Sequence, residues 1–361
     1  MSMKKTVLLA AAALSLVACG KTYELQETAQ PKIGFGTWAE TLTKATVENT
    51  FDQGATFKVW GFKTVASTNT DVFTGVTVTK QTAENNSWSY ENKKYWDLSA
   101  SSYTFYAVSP AADNYTLTTA NGAVTKSPAI TFTGTDSDIL VADKTVVNKA
   151  DGTGNFNSFE RVNLSFNHVA ALLDVKVKAS AGLIADGAIV TVKSIQIQNI
   201  DSKGSFTVSG GYTTDPVTNV DWTSAEEDAG TYTVSTFDQT KGTGDSYALN
   251  TNLGNTAQTF INKLVVMPQD FRTTGDQKQE VLITYTIQYT NGEPTEFAPA
   301  AFSLTLFDNV DDADNDDTRV SGWAPGTHYI YTITIDANAI NFTASIKDWK
   351  ATENAYNYLV K

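Results

Sequence analysis

Apolar and polar residues alternate with a period of two along much of this 361-residue chain. Phe57-Lys58-Val59-Trp60-Gly61-Phe62 places Phe57 and Val59 on one face, and Tyr103 to Val108 reads as a strand ending at Pro110. Asp174 to Lys178 alternates strictly, as does Val190-Thr191-Val192 running on into Ile195 to Gln198. Val281 to Ile287 and Tyr329 to Ile335 are strong strand patterns, and Ile340, Phe342, Ala344 and Ile346 share one face of another. Successive side chains of a strand point to opposite faces, so each such segment buries one face of a sheet and leaves the other polar. The residue types agree: Thr, Val, Ile, Tyr and Phe fill the segments, and Gly, Asn and Asp punctuate them. Asn121-Gly122, Asp186-Gly187 and Asn291-Gly292 are turn signals at sandwich-like spacing. No helical period lasts long enough for a βαβ unit; the one helix-like piece, Val169 to Leu173, is short and runs into a strand. The expected fold is all-β.

Length points to about two domains, hence two tandem β-sandwiches. The expected boundary is the break at Ala179-Ser180-Ala181-Gly182, because roughly seven candidate strands precede it, enough for one sandwich. That assigns 45–181 to an N-terminal and 182–361 to a C-terminal sandwich. Residues 201–256, rich in Gly, Thr, Ser and Asp, are expected to hold long loops between strands.

The first residues do not belong to either sandwich. Lys4-Lys5, an apolar stretch from Thr6 to Leu16 and small residues after it form a secretory signal over 1–18, too short to span a bilayer as a stable helix. Leu16-Val17-Ala18-Cys19 resembles the lipobox of bacterial lipoproteins, which implies fatty acylation of the Cys19 thiol and cutting just before it. Cys19 is the one Cys of the chain. With it acylated, neither a disulfide framework nor a thiolate metal site is available to the folded part. Composition adds two limits. With 41% hydrophobic and 18% charged residues the chain is globular, and a net charge of -13 disfavours nucleic acid or an anionic membrane as partner. No later apolar run is long enough for a transmembrane helix.

Signals for chemistry are weak. His168, between Phe166 and Val169, and His328, just after Pro325-Gly326-Thr327, both read as buried, hydrogen-bonded structural histidines. There is no G-x-S-x-G, no P-loop and no G-x-G-x-x-G after a strand. Gly152-Thr153-Gly154 and Gly242-Thr243-Gly244 read as turns. No enzyme activity and no cofactor are expected. Asp312, Asp314 and Asp316 imitate the start of an EF-hand calcium loop, but Asp317 replaces its Gly and Trp323 its closing Glu, so a solvated loop is the better reading. Of the seven Trp, Trp60, Trp96 and Trp349 read as core. Trp38, Trp88, Trp222 and Trp323 are open between core packing and a sugar-stacking platform.

Several segments, in order along most of the chain, resemble the fimbrillin family of Bacteroidales surface proteins. They are the lipobox at Cys19, Leu42 to Thr46 before the strand Phe57 to Phe62, Tyr95-Trp96, Tyr103 to Pro110, and Ser137 to Ala142 leading to Leu164 to Leu172. Met267-Pro268-Gln269, Pro325 to Tyr329 and Ile346-Lys347-Asp348-Trp349 complete the set. The resemblance implies two sandwiches of transthyretin-like or immunoglobulin-like topology. It implies a fimbrial subunit, of stalk, anchor or tip type, that reaches the outer membrane as a lipoprotein. In family stalk subunits a trypsin-like protease then cuts after a basic residue, removing the lipid and the first strand, and the open groove accepts a strand from a neighbour. The matching residues here are Lys44 and Ala45, with Lys where the best-known members have Arg.

The residues themselves fit such a mechanism. Ile33 and Phe35 alternate with Gly34 and Gly36 in a strand-like segment within 19–44. Its removal would expose apolar pockets and an unpaired edge, a template for strand addition. A donor must alternate too, and the C-terminal Tyr356, Tyr358 and Val360 do. The leading expectation is a structural fimbrial subunit whose partners are other fimbrial subunits, in a self-polymer or as an accessory. It is held at the outer membrane by lipid before processing. The alternative is a surface lipoprotein or a tip or anchor subunit that binds a glycan, host or bacterial adhesion ligand.

Overall fold

The computed structural model describes residues 32–38, 51–81, 88–118, 123–126, 130–132, 138–149, 156, 161–208, 220–225, 229–233, 252–304, 320–337 and 340–348. Among the described residues, the strongly alternating segments of the sequence form strands. The first eleven strands are β1 (Phe35–Trp38), β2 (Thr56–Val65), β3 (Thr68–Lys80), β4 (Trp88–Ser89), β5 (Ser102–Ser109), β6 (Tyr115–Thr118), β7 (Ala123–Lys126), β8 (Ile130–Thr131), β9 (Leu140–Ala142), β10 (Thr145–Asn148) and β11 (Val162–His168). Next come β12 (Ala171–Ala179), the short helix α1 (Ala181–Ala185), β13 (Ile189–Asp201), β14 (Lys203–Val208), β15 (Val220–Ser224) and β16 (Ala229–Thr233). The chain continues through β17 (Gln258–Val266), β18 (Gln269–Asp270), β19 (Glu280–Gln288), β20 (Thr295–Ser303), β21 (Gly322–Trp323), β22 (Thr327–Ile335) and β23 (Ile340–Asp348). The expected all-β class is the observed one.

The N-terminal strands form a sheet in the order β1-β11-β9-β5-β2-β3-β4, with β10 also pairing β5. It curls around a core that is largely aromatic: Phe35, Phe57, Phe73, Tyr90, Trp96, Tyr103, Phe105, Phe156 and Phe166 are all buried in one cluster. Gly61 makes room for it. A Cβ at this position would lie 2.8 Å from the Phe73 ring and 3.0 Å from the Phe105 ring.

The C-terminal strands form two four-stranded sheets, β17-β12-β22-β23 and β16-β13-β19-β20. Alternate residues of β12 (Leu173, Val175, Val177) and β22 (Tyr329, Tyr331, Ile333) share one core with Val190 and Val192 of β13 and Ile283 and Ile287 of β19. This is sandwich packing, two inner faces interdigitating. The Asn291-Gly292 signal marks the β19–β20 turn, with Asn291 at φ 66° and the Gly292 N–H bonded to the Tyr289 carbonyl at 2.9 Å.

A further sheet, β15-β14-β7-β6 with β8 on β14, joins residues from both halves of the sequence. Its Phe206 and Val208 pack with Trp60, Tyr106 and Val108 from the outer face of the N-terminal sheet, and with Leu172, Val265 and Met267. Strand pairing therefore crosses residue 181 twice, through β8 and β7 on β14 and through β12, which pairs β17 and β22.

One sequence expectation changes. Val169 to Leu173, helix-like in pattern, leads into and forms the start of β12 as extended chain. Its apolar run is continuous because both faces are covered: Leu172 faces the third cluster and Leu173 the C-terminal core. A strand buried on both sides loses its alternation. Residues 201–256, expected to hold long loops between strands, include the paired strands β14, β15 and β16.

Candidate functional site

The segment around Ile33 and Phe35 sits in a slot in the N-terminal sheet. On one side β1 runs parallel to β11, with Phe35 to Trp38 in register with Val162 to Ser165. The Val162 N–H donates to the Gly34 carbonyl at 2.8 Å. On the other side lies the chain just beyond β4. There the Ile33 N–H donates to the Lys94 carbonyl at 2.9 Å, the Tyr90 hydroxyl donates to the Ile33 carbonyl at 2.7 Å, and Lys32 bridges Tyr95. β11 and β4 are the two far ends of the sheet without β1, so this segment closes the sheet on itself.

The side chains fill the space so closed. Ile33 is 1% and Phe35 2% exposed. The Phe35 ring meets Phe73 at 5.3 Å, Tyr90 at 5.7 Å, Phe105 at 5.8 Å and Phe57 at 5.9 Å, all edge-to-face, the favoured aromatic geometry. Burial raises the Tyr90 hydroxyl pKa above its ordinary value, although it also accepts the Lys94 N–H. The glycines have a role as well: a Cβ at Gly36 would collide with the side chains of Arg161 and Asn163. Ile33 and Phe35 are thus brought together as their alternation implies. Tyr90, Lys94 and Val162, which complete the slot, carry no local signal in the sequence, because strand pairing across long separations leaves none. Cys19, Lys44, Ala45, Asp312, Asp314, Asp316, Tyr356, Tyr358 and Val360 lie outside the described residues.

Other polar groups serve the framework. His168 Nδ1 meets the Asp138 carboxylate, and His328 Nε2 lies 3.1 Å from Asp174 Oδ2, with all four side chains buried. Asp174 Oδ1 also accepts the Lys263 N–H at 2.8 Å. Both histidines are therefore buried and paired with a carboxylate. Lys63, and Ser99 through its hydroxyl and N–H, hold the Asp97 carboxyl at a pKa of about 2. Among the described residues, no three His, Cys, Asp or Glu side chains are grouped to hold a metal, and no helix is long and apolar enough to cross a membrane. Trp60, Trp96 and Trp323 are buried, and Trp88 and Trp222 half-buried on other aromatic rings. Trp222 also donates to the Val169 carbonyl at 2.8 Å. Trp349 and the Trp38 side chain lie outside the description.

The model of the Fimbrillin-like family matches residues 43–349. The chain belongs to the fimbrillin-like family. Among solved structures, the chain is similar to a fimbrial protein from Bacteroides vulgatus, with 15% identity, TM-score 0.51, and 88% of this chain and 99% of that one covered. It also matches the tip fimbrial protein Mfa3 from Porphyromonas gingivalis, at 11% identity and TM-score 0.34 over 83% of this chain and 96% of that one. At these identities the likeness to the Bacteroides vulgatus protein is one of fold. No curated protein matches this sequence.

Proposed function

We propose that this chain is a structural subunit of a cell-surface fimbrium, exported as a lipoprotein through Cys19 and joined to its neighbours by strand exchange after cutting between Lys44 and Ala45. The observation that carries this reading is the slot. A short segment N-terminal to the proposed cut supplies backbone bonds to both ends of the sheet and two fully buried apolar side chains. Burial of side chains the size of Ile and Phe is worth roughly 1.5–3 kcal/mol each. An emptied slot therefore carries a penalty of several kcal/mol, besides its unpaired backbone groups, which a neighbour's strand would offset. Tyr356, Tyr358 and Val360 are the proposed donors. Family membership supports a fimbrial, non-enzymatic role with other fimbrial subunits as partners. Outer-membrane anchoring before the cut is part of the same proposal. So is the division into two sandwich units, with β12 contributing to the sheet of the second through its pairing with β17 and β22.

The test uses the purified precursor. Limited trypsin treatment should cut first after Lys44, the basic residue of the proposed processing site. The product, beginning at Ala45, should then form oligomers that resist mild detergent, while Lys44→Ala stays monomeric. Equal assembly by Lys44→Ala, or a cut product that remains monomeric at high concentration, would sink strand exchange. Cys19→Ser should independently abolish incorporation of a radioactive fatty acid; continued labelling rules out Cys19 as the lipid site.

A further inference from the structure

The outer face of the N-terminal sheet, opposite the aromatic core, carries a cleft that the assembly reading does not use. Strand register sets Val146 beside Thr104, Thr104 beside Phe62, and Phe62 beside Asp71, in one row across β10, β5, β2 and β3. In the next row along β5 is Tyr106, whose ring stands edge-to-face to Phe62 at 6.1 Å. Leu117 of β6, Asn69 and Lys144 line the same cleft, of about 380 Å³. That size falls within the range of small-molecule sites, about 300–1,000 Å³.

The lining narrows the ligand. Phe62 and Leu117 are half-buried, so the floor presents an apolar surface on rigid strands. Around it stand an acceptor-only carboxylate (Asp71), an amide (Asn69), a hydroxyl (Thr104) and a donor-only ammonium (Lys144). Asp71, Asn69 and Lys144 are exposed, and neither Asp71 nor Lys144 forms an ion pair among the described residues. A hydrocarbon chain would leave these groups dehydrated and unsatisfied. A polyanion would meet Asp71 and a net charge of -13. A pyranose matches both features: its C–H face stacks on an aromatic ring, and its hydroxyls both donate and accept.

We propose that this cleft binds a neutral glycan, with one sugar ring on Phe62 and its hydroxyls shared among Asp71, Asn69, Thr104 and Lys144. The site lies on the opposite face of the sheet from the β1 slot, so it stands whether or not subunits exchange strands. Saturation-transfer NMR on the full chain, with lactose, maltose and N,N′-diacetylchitobiose as probes and 3′-sialyllactose as an anionic control, tests it. At least one neutral disaccharide should show transfer and exceed the anionic control. Asp71→Ala and Lys144→Ala, at exposed positions that keep the fold, should each weaken that binding about tenfold, the loss expected for one charge-assisted hydrogen bond. Phe62→Ala should abolish it, with circular dichroism checking that the variant is folded. Transfer from none of the three neutral sugars, preference for the sialylated one, or unchanged affinity in both rim variants overturns the proposal.

Discussion

Phe35→Ala is the sharpest probe of the closed sheet. The substitution removes a ring that is 2% exposed and has four aromatic neighbours between 5.3 and 5.9 Å from its centroid. Large-to-small changes of this kind cost about 3–5 kcal/mol, the lost transfer energy plus the cavity left behind. Here the lower end is expected, because β1 has only four residues and can shift inward to fill part of the space. Aromatic pairing adds about 0.5–1.5 kcal/mol per ring pair in favourable geometry, which keeps the cost from falling much below about 3 kcal/mol. The assay is urea unfolding of the uncut protein, followed by near-ultraviolet circular dichroism, to which the packed rings around Trp96 contribute. With a slope of about 2 kcal/mol per M, the midpoint of the N-terminal transition should fall by roughly 1.5 M. The control is Val146→Ala on β10, where the side chain is 47% exposed and a change within about 0.5 kcal/mol is expected. If Phe35→Ala shifts the transition no more than Val146→Ala does, Phe35 is not part of the closed core and the slot does not hold the sheet together.

Gly61→Ala should cost about 1–3 kcal/mol through overpacking, since the new methyl meets the Phe73 and Phe105 rings at 2.8 and 3.0 Å; the same urea titration measures it. Asp174→Ala strips partners from His328 and from the Lys263 N–H inside the C-terminal region, and should lower its thermal stability by about 3 kcal/mol while leaving the β1 slot intact. The Asp97 carboxyl, near pKa 2 in the fold, is depressed relative to about 3.9 in the unfolded chain. Its stabilisation is therefore present above about pH 4 and is lost as the pH falls through 2. Lys63 is raised by the same partner, so its share is lost as the pH rises through the lysine range. Because the pair is partly solvated, Asp97→Asn should cost below about 1 kcal/mol near pH 7, and the difference from wild type should shrink toward pH 2 in a pH series of urea midpoints.

What the sequence revealed was what is local. Alternation in Phe57 to Phe62 or Tyr329 to Ile335 reports a half-buried strand directly, because side-chain direction follows the backbone. The burial of Ile33 and Phe35 was legible for the same reason. Their partners were not: nothing near Tyr90, Lys94 or Val162 signals that these residues flank one strand from opposite sides. His168 and His328 read correctly as buried groups, yet Asp138 and Asp174 were not identifiable as their carboxylate partners, since a buried pair leaves no spacing rule. β12 was obscured for a different reason. Its start faces one core with Leu172 and another with Leu173, so the polar half of the pattern is missing there. Trp323 was left open by its turn-like surroundings, while in the fold its indole is buried and donates to the Tyr331 hydroxyl at 3.1 Å.

The same passage from β11 to β12 has a mechanical consequence. β1 is laid alongside β11 in parallel, and β11 continues through only Val169 and Ala170 into β12, which is itself parallel to β22 over eight consecutive registers. If a neighbour's strand occupies the β1 slot, tension along a fibre enters through a ladder pulled lengthwise. Its hydrogen bonds then resist in shear together rather than unzipping one at a time. The force continues through two residues of backbone into the middle of the second sheet, with no long loop in series to stretch first.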